Sequence, residues 1–152
     1  IILIRKAVNQ DVSKIVDLCK EAHEESKITT APLDPKTLRT NVQICVLSAE
    51  HLVMVVEVDD KIEGMIIGVT HQLWYSRKKQ ATDLFFYTSK RIRGEGWGAK
   101  LMRRFIGWAK DNPGVKEIML GVSSGIETDR TKTMYERMGA IRIGENYVIP
   151  QE

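Results

Sequence analysis

Arg91-Ile92-Arg93-Gly94-Glu95-Gly96-Trp97-Gly98-Ala99-Lys100 is the stretch on which the reading of this chain turns. It follows an apolar, aromatic run, Leu84-Phe85-Phe86-Tyr87, that reads as a strand, and it opens an amphipathic stretch, Trp97 to Lys110, that reads as a helix. Strand, glycine-rich turn and helix N-terminus together present unpaired backbone N–H groups and the positive end of a helix dipole, the arrangement that holds a phosphate. Glycines at 94, 96 and 98 let the backbone approach a ligand without a Cβ in the way, and Arg91 and Arg93 add positive charge at the mouth. Two familiar cradles are excluded by spacing. No Gly-x-x-x-x-Gly-Lys-Ser/Thr run exists, and the glycines alternate as Gly-x-Gly-x-Gly rather than as the dinucleotide fingerprint Gly-x-Gly-x-x-Gly.

Outward from this turn, composition sets the frame. A chain of 152 residues is expected to form one domain, residues 1–152, with enough length to bury a core unaided. No apolar run approaches the roughly 20 residues of a membrane helix, and the opening Ile1-Ile2-Leu3-Ile4-Arg5 turns polar too soon for a signal peptide, so a cytoplasmic protein is expected. Cys19 and Cys45 fall at apolar positions of predicted helices and read as free thiols; their spacing suits neither a metal nor a redox pair, and no metal is expected. A net charge of +3 suits an anionic ligand but is not the dense basic stripe of a nucleic-acid binder.

In chain order, Ile1 to Ala7 is a strand, after which Asn9 or Asp11 caps a helix carrying Val12, Ile15, Val16, Cys19 and Ala22 on one face. Lys14, Asp17, Lys20, Glu21 and Glu24 fill its other face and read most simply as solvated charges. The link from Ser26 to Pro32 reads as an ordered loop. Asp34 as N-cap and Pro35 at the first helical position start a second helix. Leu52 to Val58 and Ile62 to Trp74 are strands joined at Asp59-Asp60-Lys61, apolar on both faces and hence buried on both. Ser76 to Gln80 is a basic loop, Ala81 to Thr88 a strand, and the helix from Trp97 stops at Asp111-Asn112-Pro113-Gly114. Val115 to Val122, Glu127 to Gly139 and Ile141 to Ile149 complete the order as strand, helix and closing strand or small hairpin.

Arg93-Gly94-Glu95-Gly96-Trp97-Gly98 resembles the Arg/Gln-x-x-Gly-x-Gly/Ala signature of the GNAT superfamily of N-acetyltransferases; Arg91-x-x-Gly94-x-Gly96 fits one step earlier, but the strand end favours Arg93. The order β-α-α-β-β-β-α-β-α-β is similar to that family's from end to end. Gly64 and Gly68 sit in a glycine-dotted third strand, and Tyr135-Glu136-Arg137-Met138-Gly139-Ala140 resembles the family's Tyr-Glu-x-x-Gly-Phe segment. The resemblance implies an α/β (α+β) GNAT fold, a mixed, mostly antiparallel sheet of about six to seven strands flanked by about four helices.

It also implies acetyl-CoA as the bound donor. The strand at Phe86, Tyr87 and Thr88 would splay from Gly121 to Ser123 and receive the pantetheine arm, with a backbone N–H near Tyr87 or Thr88 on the thioester oxygen. Gly94, Glu95, Gly96, Trp97, Gly98 and Ala99 would hold the pyrophosphate, and Arg93 or Lys100 would neutralise it. Tyr135 is the implied general acid for the leaving thiolate. Asp83, the one charge in an apolar run, is the carboxylate that burial would tune into a base, or else an exposed strand-start charge; His71 and a water relay are the alternatives, while His51 and His23 are given no role. The family's Asn before the Tyr is Thr128 here, implying one contact fewer, and Ala140 replaces the usual Phe. The short C-terminal end makes a homodimer with a shared strand conceivable.

These features imply an acetyl-CoA-dependent N-acetyltransferase acting on a primary amine, small or on a protein, by direct attack on the thioester. The acceptor site would lie among Glu21 to Thr37, Tyr75 to Gln80 and the last strand, where Glu21, Glu24 and Glu25 would attract a cationic amine unless they are merely solvated. Two rivals differ in class: a non-catalytic acyl-CoA-binding module, and an enzyme acting on an RNA-linked amine through Arg77, Lys78, Lys79, Arg103 and Arg104.

Overall fold

A computed structural model describes residues 1–26, 31–122 and 125–151. Strand β1 (Ile2–Lys6) leads through a single 3-10 turn into α1 (Val12–Glu25); α2 (Pro35–Leu47) follows. Then come β2 (His51–Val58), β3 (Lys61–Gln72), β4 (Lys79–Thr88), α3 (Trp97–Lys110), β5 (Val115–Met119) and α4 (Thr128–Arg137). The strands form one sheet in the order β1-β2-β3-β4-β5, antiparallel through β4, with β5 parallel to β4. Among the described residues no helix is long and apolar enough to cross a membrane.

The apolar runs of β2 and β3 are buried on both faces because each face of the sheet is covered. Val53, Val55, Met65 and Ile67 pack under α1 and α2 with Val12, Ile15, Val16, Cys19 and Val42. The alternate residues Leu52, Met54, Val56 and Ile66 pack under α3 and α4 with Leu101, Met102, Phe105 and Tyr135. Gly68 allows the closest of these contacts: a Cβ there would lie 2.3 Å from the ring of the fully buried Phe105.

Local signals set most boundaries. Asp34 accepts the Thr37 N–H at 3.2 Å and Pro35 opens α2. Asp11 does not cap α1 through its side chain; it accepts the Val8 N–H at 2.8 Å and takes two bonds from Arg5, at 2.7 and 2.9 Å. β4 starts at Lys79, inside the expected loop, because Lys79 pairs with Gln72 and donates its N–H to the Gly114 carbonyl.

Two expectations are corrected. The sheet has five strands among the described residues, because Ile141 to Ile149 forms neither strand nor hairpin. A strand exists only against a partner edge, and this segment lies along none: Ile141, Tyr147 and Ile149 are more than four-fifths exposed. Its described side-chain contacts are local, Arg142 and Tyr147 both to Glu145. The strand expected through Val122 ends at Met119. Residues 27–30 of the inter-helix link and Ser123 lie outside the described residues.

Candidate active site

β5 pairs with β4 only from Lys79 to Thr82, where Ala81 faces Ile118 and Thr82 faces Met119. β4 runs on to Thr88 while β5 ends at Met119, so among the described residues the β4 edge from Asp83 onward has no ladder partner on this side and the two strands part. A cleft of about 910 Å³ fills the opening. Its walls come from β4, the glycine turn and the start of α3, Gly121 and Val122, α4, and the last turn of α1.

A β-bulge sits at the point of splay. Gly68 pairs with Asp83 and Ile67 with Phe85, leaving Leu84 as an extra residue on β4. The bulge inverts the strand's parity: Ala81 packs on the α3 side, whereas Phe85 and Tyr87, of the same parity, pack on the α1 side. Leu84 is thereby turned out, half exposed, into the cleft. Nothing in the run Thr82 to Tyr87 signals the bulge, because both faces of this strand are apolar and a parity slip leaves no mark in the pattern.

At the far end, Gly94 and Gly96 adopt φ of +91° and +87°, the left-handed region that favours glycine. Gly96 is the N-cap of α3, so the N-terminus of the helix, with its first unbonded N–H groups, lies at the cleft that Gly98 and Ala99 also line. Phe86 closes one side, its Cζ lying 3.4 Å from the site of a Cβ on Gly98.

Arg91 and Arg93 do not hang free at this mouth. Arg93 forms a fork with Glu25 of α1, at 2.7 and 3.1 Å, and donates to the Thr88 carbonyl at 2.6 Å. Its guanidinium lies 5.5 Å over the Tyr87 ring. Arg91 bonds Glu21 at 2.7 Å and the buried Glu63 at 2.6 Å, and Ser89 also donates to Glu63. The Tyr87 hydroxyl lies between the two glutamates, 2.7 Å from Glu25 and 3.1 Å from Glu21. A phenol has one proton, so the shorter contact marks Glu25 as its acceptor. Arg93 holds the Glu25 carboxyl below the usual carboxylate range, and burial together with the glutamates pushes the Tyr87 hydroxyl up. The reading of Glu21 as a solvated charge is thus corrected: Glu21 and Glu25 tie α1 to the glycine turn.

Asp83 and Tyr135 converge at the other end. The Asp83 carboxylate accepts the Gly121 N–H at 2.9 Å, and the buried Tyr135 hydroxyl donates to the Gly121 carbonyl at 2.8 Å. Burial raises the Asp83 pKa against the opposing pull of the Gly121 N–H. Tyr135 is also raised, by burial first and then by the Asp83 charge. The pair therefore offers a carboxylate shifted toward neutrality and a phenol that keeps its proton.

Of the residues anticipated from sequence, Asp83, Phe86, Tyr87, Thr88, Arg93, Gly94, Gly96, Gly98 and Ala99 line the cleft. Tyr135 touches it through Gly121. Glu95, Trp97, Lys100 and Thr128 are not among the lining residues. Lys100 lays its ammonium 4.3 Å above the Trp97 ring, and Thr128 is exposed at the start of α4. His71 bonds Gln80 on an exposed stretch of sheet. His23, which was given no role and whose Nε2 is 3.0 Å from the Ala31 carbonyl, and Arg103, which was read as part of a basic surface, line the cleft, and so does Arg130, which sequence reasoning missed. Arg130 brings its guanidinium nitrogens to 3.8 and 3.9 Å from the site of a Cβ on Gly94. In sequence Arg130 looks like an ordinary solvated helix charge.

The family model for the acetyltransferase (GNAT) family matches residues 12–140, and the chain belongs to that family. It is an acyltransferase whose donor is acetyl-CoA. No curated protein matches the chain. Among solved structures it is similar to a predicted acetyltransferase with acetyl-CoA from Clostridium acetobutylicum (TM-score 0.80, 16% identity, 98% of this chain and 96% of that one). A possible acetyltransferase from Clostridium difficile is similar too (TM-score 0.76, 19% identity, 99% and 97%), as is glucosamine-6-phosphate N-acetyltransferase from Arabidopsis thaliana (TM-score 0.76, 18% identity, 100% and 99%). At such identities the likeness is one of fold. The site itself suits the donor: left-handed glycines before a free helix N-terminus for the phosphates, and an unpartnered strand edge leading from them to Asp83.

Proposed function

We propose that the chain transfers the acetyl group of acetyl-CoA to a primary amine by direct attack of the amine on the thioester. The observation that carries this reading is the splay of β4 from β5, with the glycine turn at one end of the cleft and the Asp83–Gly121–Tyr135 cluster at the other. A linear donor with a phosphorylated head and a reactive tail fits that polarity. The pantetheine arm lies along the β4 edge from Phe86 to Thr88 as an added strand, its amides meeting backbone groups that β5 leaves unpaired. The Gly94–Ala99 backbone and the α3 N-terminus hold the pyrophosphate.

Acetyl-CoA supplies the activated acetyl group; the chain supplies position and protons. Asp83, shifted toward neutrality, accepts the proton that the amine must lose, and Tyr135, kept protonated, returns one to the departing sulfur. Anchoring both on Gly121 fixes their separation before substrate arrives, which is where positioned groups gain over free ones.

The first test is thermal unfolding with and without acetyl-CoA, repeated on Gly96→Asp, followed by a panel of amines scored by free thiol release. A donor-dependent rise in melting temperature that the variant loses, together with thiol release on at least one amine, supports the reading. Absence of any rise at saturating donor overturns it. Tight donor binding with no turnover on any amine would leave a binding module in place of an enzyme of this specificity.

A further inference from the structure

We infer that Arg130, on α4, is the side-chain cation that meets the pyrophosphate of the donor, and that Arg93, the arginine of the glycine-turn signature, is a structural clamp instead. The inference rests on the donor reading given above.

The two arginines differ in what their guanidinium groups already hold. Arg93 has its fork filled by the Glu25 carboxylate, a third bond to the Thr88 carbonyl, and its face on Tyr87. Its side chain is 13% exposed and that of Glu25 17%, so the pair is screened little by water. A phosphate approaching Arg93 would have to displace an anion that is already bidentate and share the space with it.

Arg130 has no hydrogen bond or ion pair among the described residues, although Glu127 and Asp129 line the same cleft. Its guanidinium lies beside Gly94, at the head of the glycine turn that lines the cleft. A pyrophosphate seated on the amides of that turn and on the α3 N-terminus would have this free fork directly across from it. Such a planar fork matches two phosphate oxygens at once. The charge to be neutralised and the charge without a partner thus face each other across one turn, and they come from elements far apart in sequence.

Binding of three donors by wild type, Arg130→Gln, Arg130→Lys and Arg93→Gln tests the assignment: acetyl-CoA, acetyl-dephospho-CoA, which lacks the 3′-phosphate, and S-acetylpantetheine, which lacks every phosphate of the nucleotide half. Arg130→Gln should weaken the first two alike, by about tenfold to a hundredfold, and leave S-acetylpantetheine unchanged. Arg130→Lys should recover part of the loss. Arg93→Gln should lower the melting temperature and weaken all three donors in proportion. A loss in Arg130→Gln confined to acetyl-CoA would move the contact to the 3′-phosphate and overturn the assignment. So would a phosphate-dependent loss in Arg93→Gln without one in Arg130→Gln. If wild type binds none of the three, the donor reading itself fails, a result separate from any difference between arginines.

Discussion

Asp83 and Tyr135 are bonded to opposite sides of one residue: the Gly121 N–H goes to the Asp83 carboxylate at 2.9 Å, and the Gly121 carbonyl takes the Tyr135 hydroxyl at 2.8 Å. One comes from the strand that ends the pairing with β5, the other from α4, and Gly121 lies just past the end of β5. The residue that opens the cleft also sets the two proton-carrying groups in register.

Tyr135→Phe keeps the packing and removes the hydroxyl. It should lower kcat by about a hundredfold while costing only about 1 kcal/mol of stability for the lost bond to Gly121. Steady-state thiol release alongside a denaturation curve separates the two effects, and an unchanged kcat would leave Tyr135 a packing residue.

Asp83→Asn retains an acceptor for the Gly121 N–H but no titratable proton. Because burial raises the Asp83 pKa on folding, the ionised carboxylate costs stability as pH climbs through that raised value, and the cost is absent at lower pH. The variant should be at least as stable as wild type at neutral pH, yet about a hundredfold slower. Wild-type kcat/KM should rise with pH through the Asp83 ionisation and that limb should be missing in Asp83→Asn. A pH profile that survives the substitution would point to a water relay.

The Arg93–Glu25 pair calls for a double-mutant cycle. Glu25 sits below its ordinary pKa in the folded chain, so its contribution is complete above the unfolded carboxylate value of about 4.3 and is lost as pH falls through the lowered one. Arg93→Gln should destabilise by about 2–3 kcal/mol at neutral pH, since it strands a half-buried carboxylate. Glu25→Gln with Arg93→Gln should cost less than the two single changes summed, and should lose the acid-dependent component. Strict additivity would show that the fork contributes nothing as a pair.

Gly68→Ala places a methyl carbon 2.3 Å from the Phe105 ring, which is fully buried and has no free direction to move. Overpacking of this kind costs about 1–3 kcal/mol. Since Gly68 is the partner of Asp83 at the bulge, the variant should also lose donor-induced stabilisation out of proportion to its fall in melting temperature. Wild-type behaviour in both measurements would show that helix α3 shifts to make room.

Much of the scaffold was legible because its signals are local. The bounds of α3 follow from a stripe of apolar residues between a glycine and Asp111, and α2 begins where Asp34 and Pro35 say a helix begins. The closing strand failed as an expectation for a physical reason: Ile141 to Ile149 has strand composition, but composition supplies no partner edge, and the backbone of an extended segment is satisfied only by one.

Sequence by itself determined the order of elements from β1 to α4, the glycine turn before α3, and the family to which these belong, since each depends on residues a few positions apart and on the backbone freedom of glycine. Tertiary structure alone decided the rest: that β4 slips by one residue at Leu84, that it parts from β5 after Thr82, and that Glu25 fills the fork of Arg93 while Arg130 is left facing the turn. Those outcomes depend on which strand edge is left unpaired and on which charge reaches which partner first. Such choices are made between segments distant in the chain, where no local pattern records them.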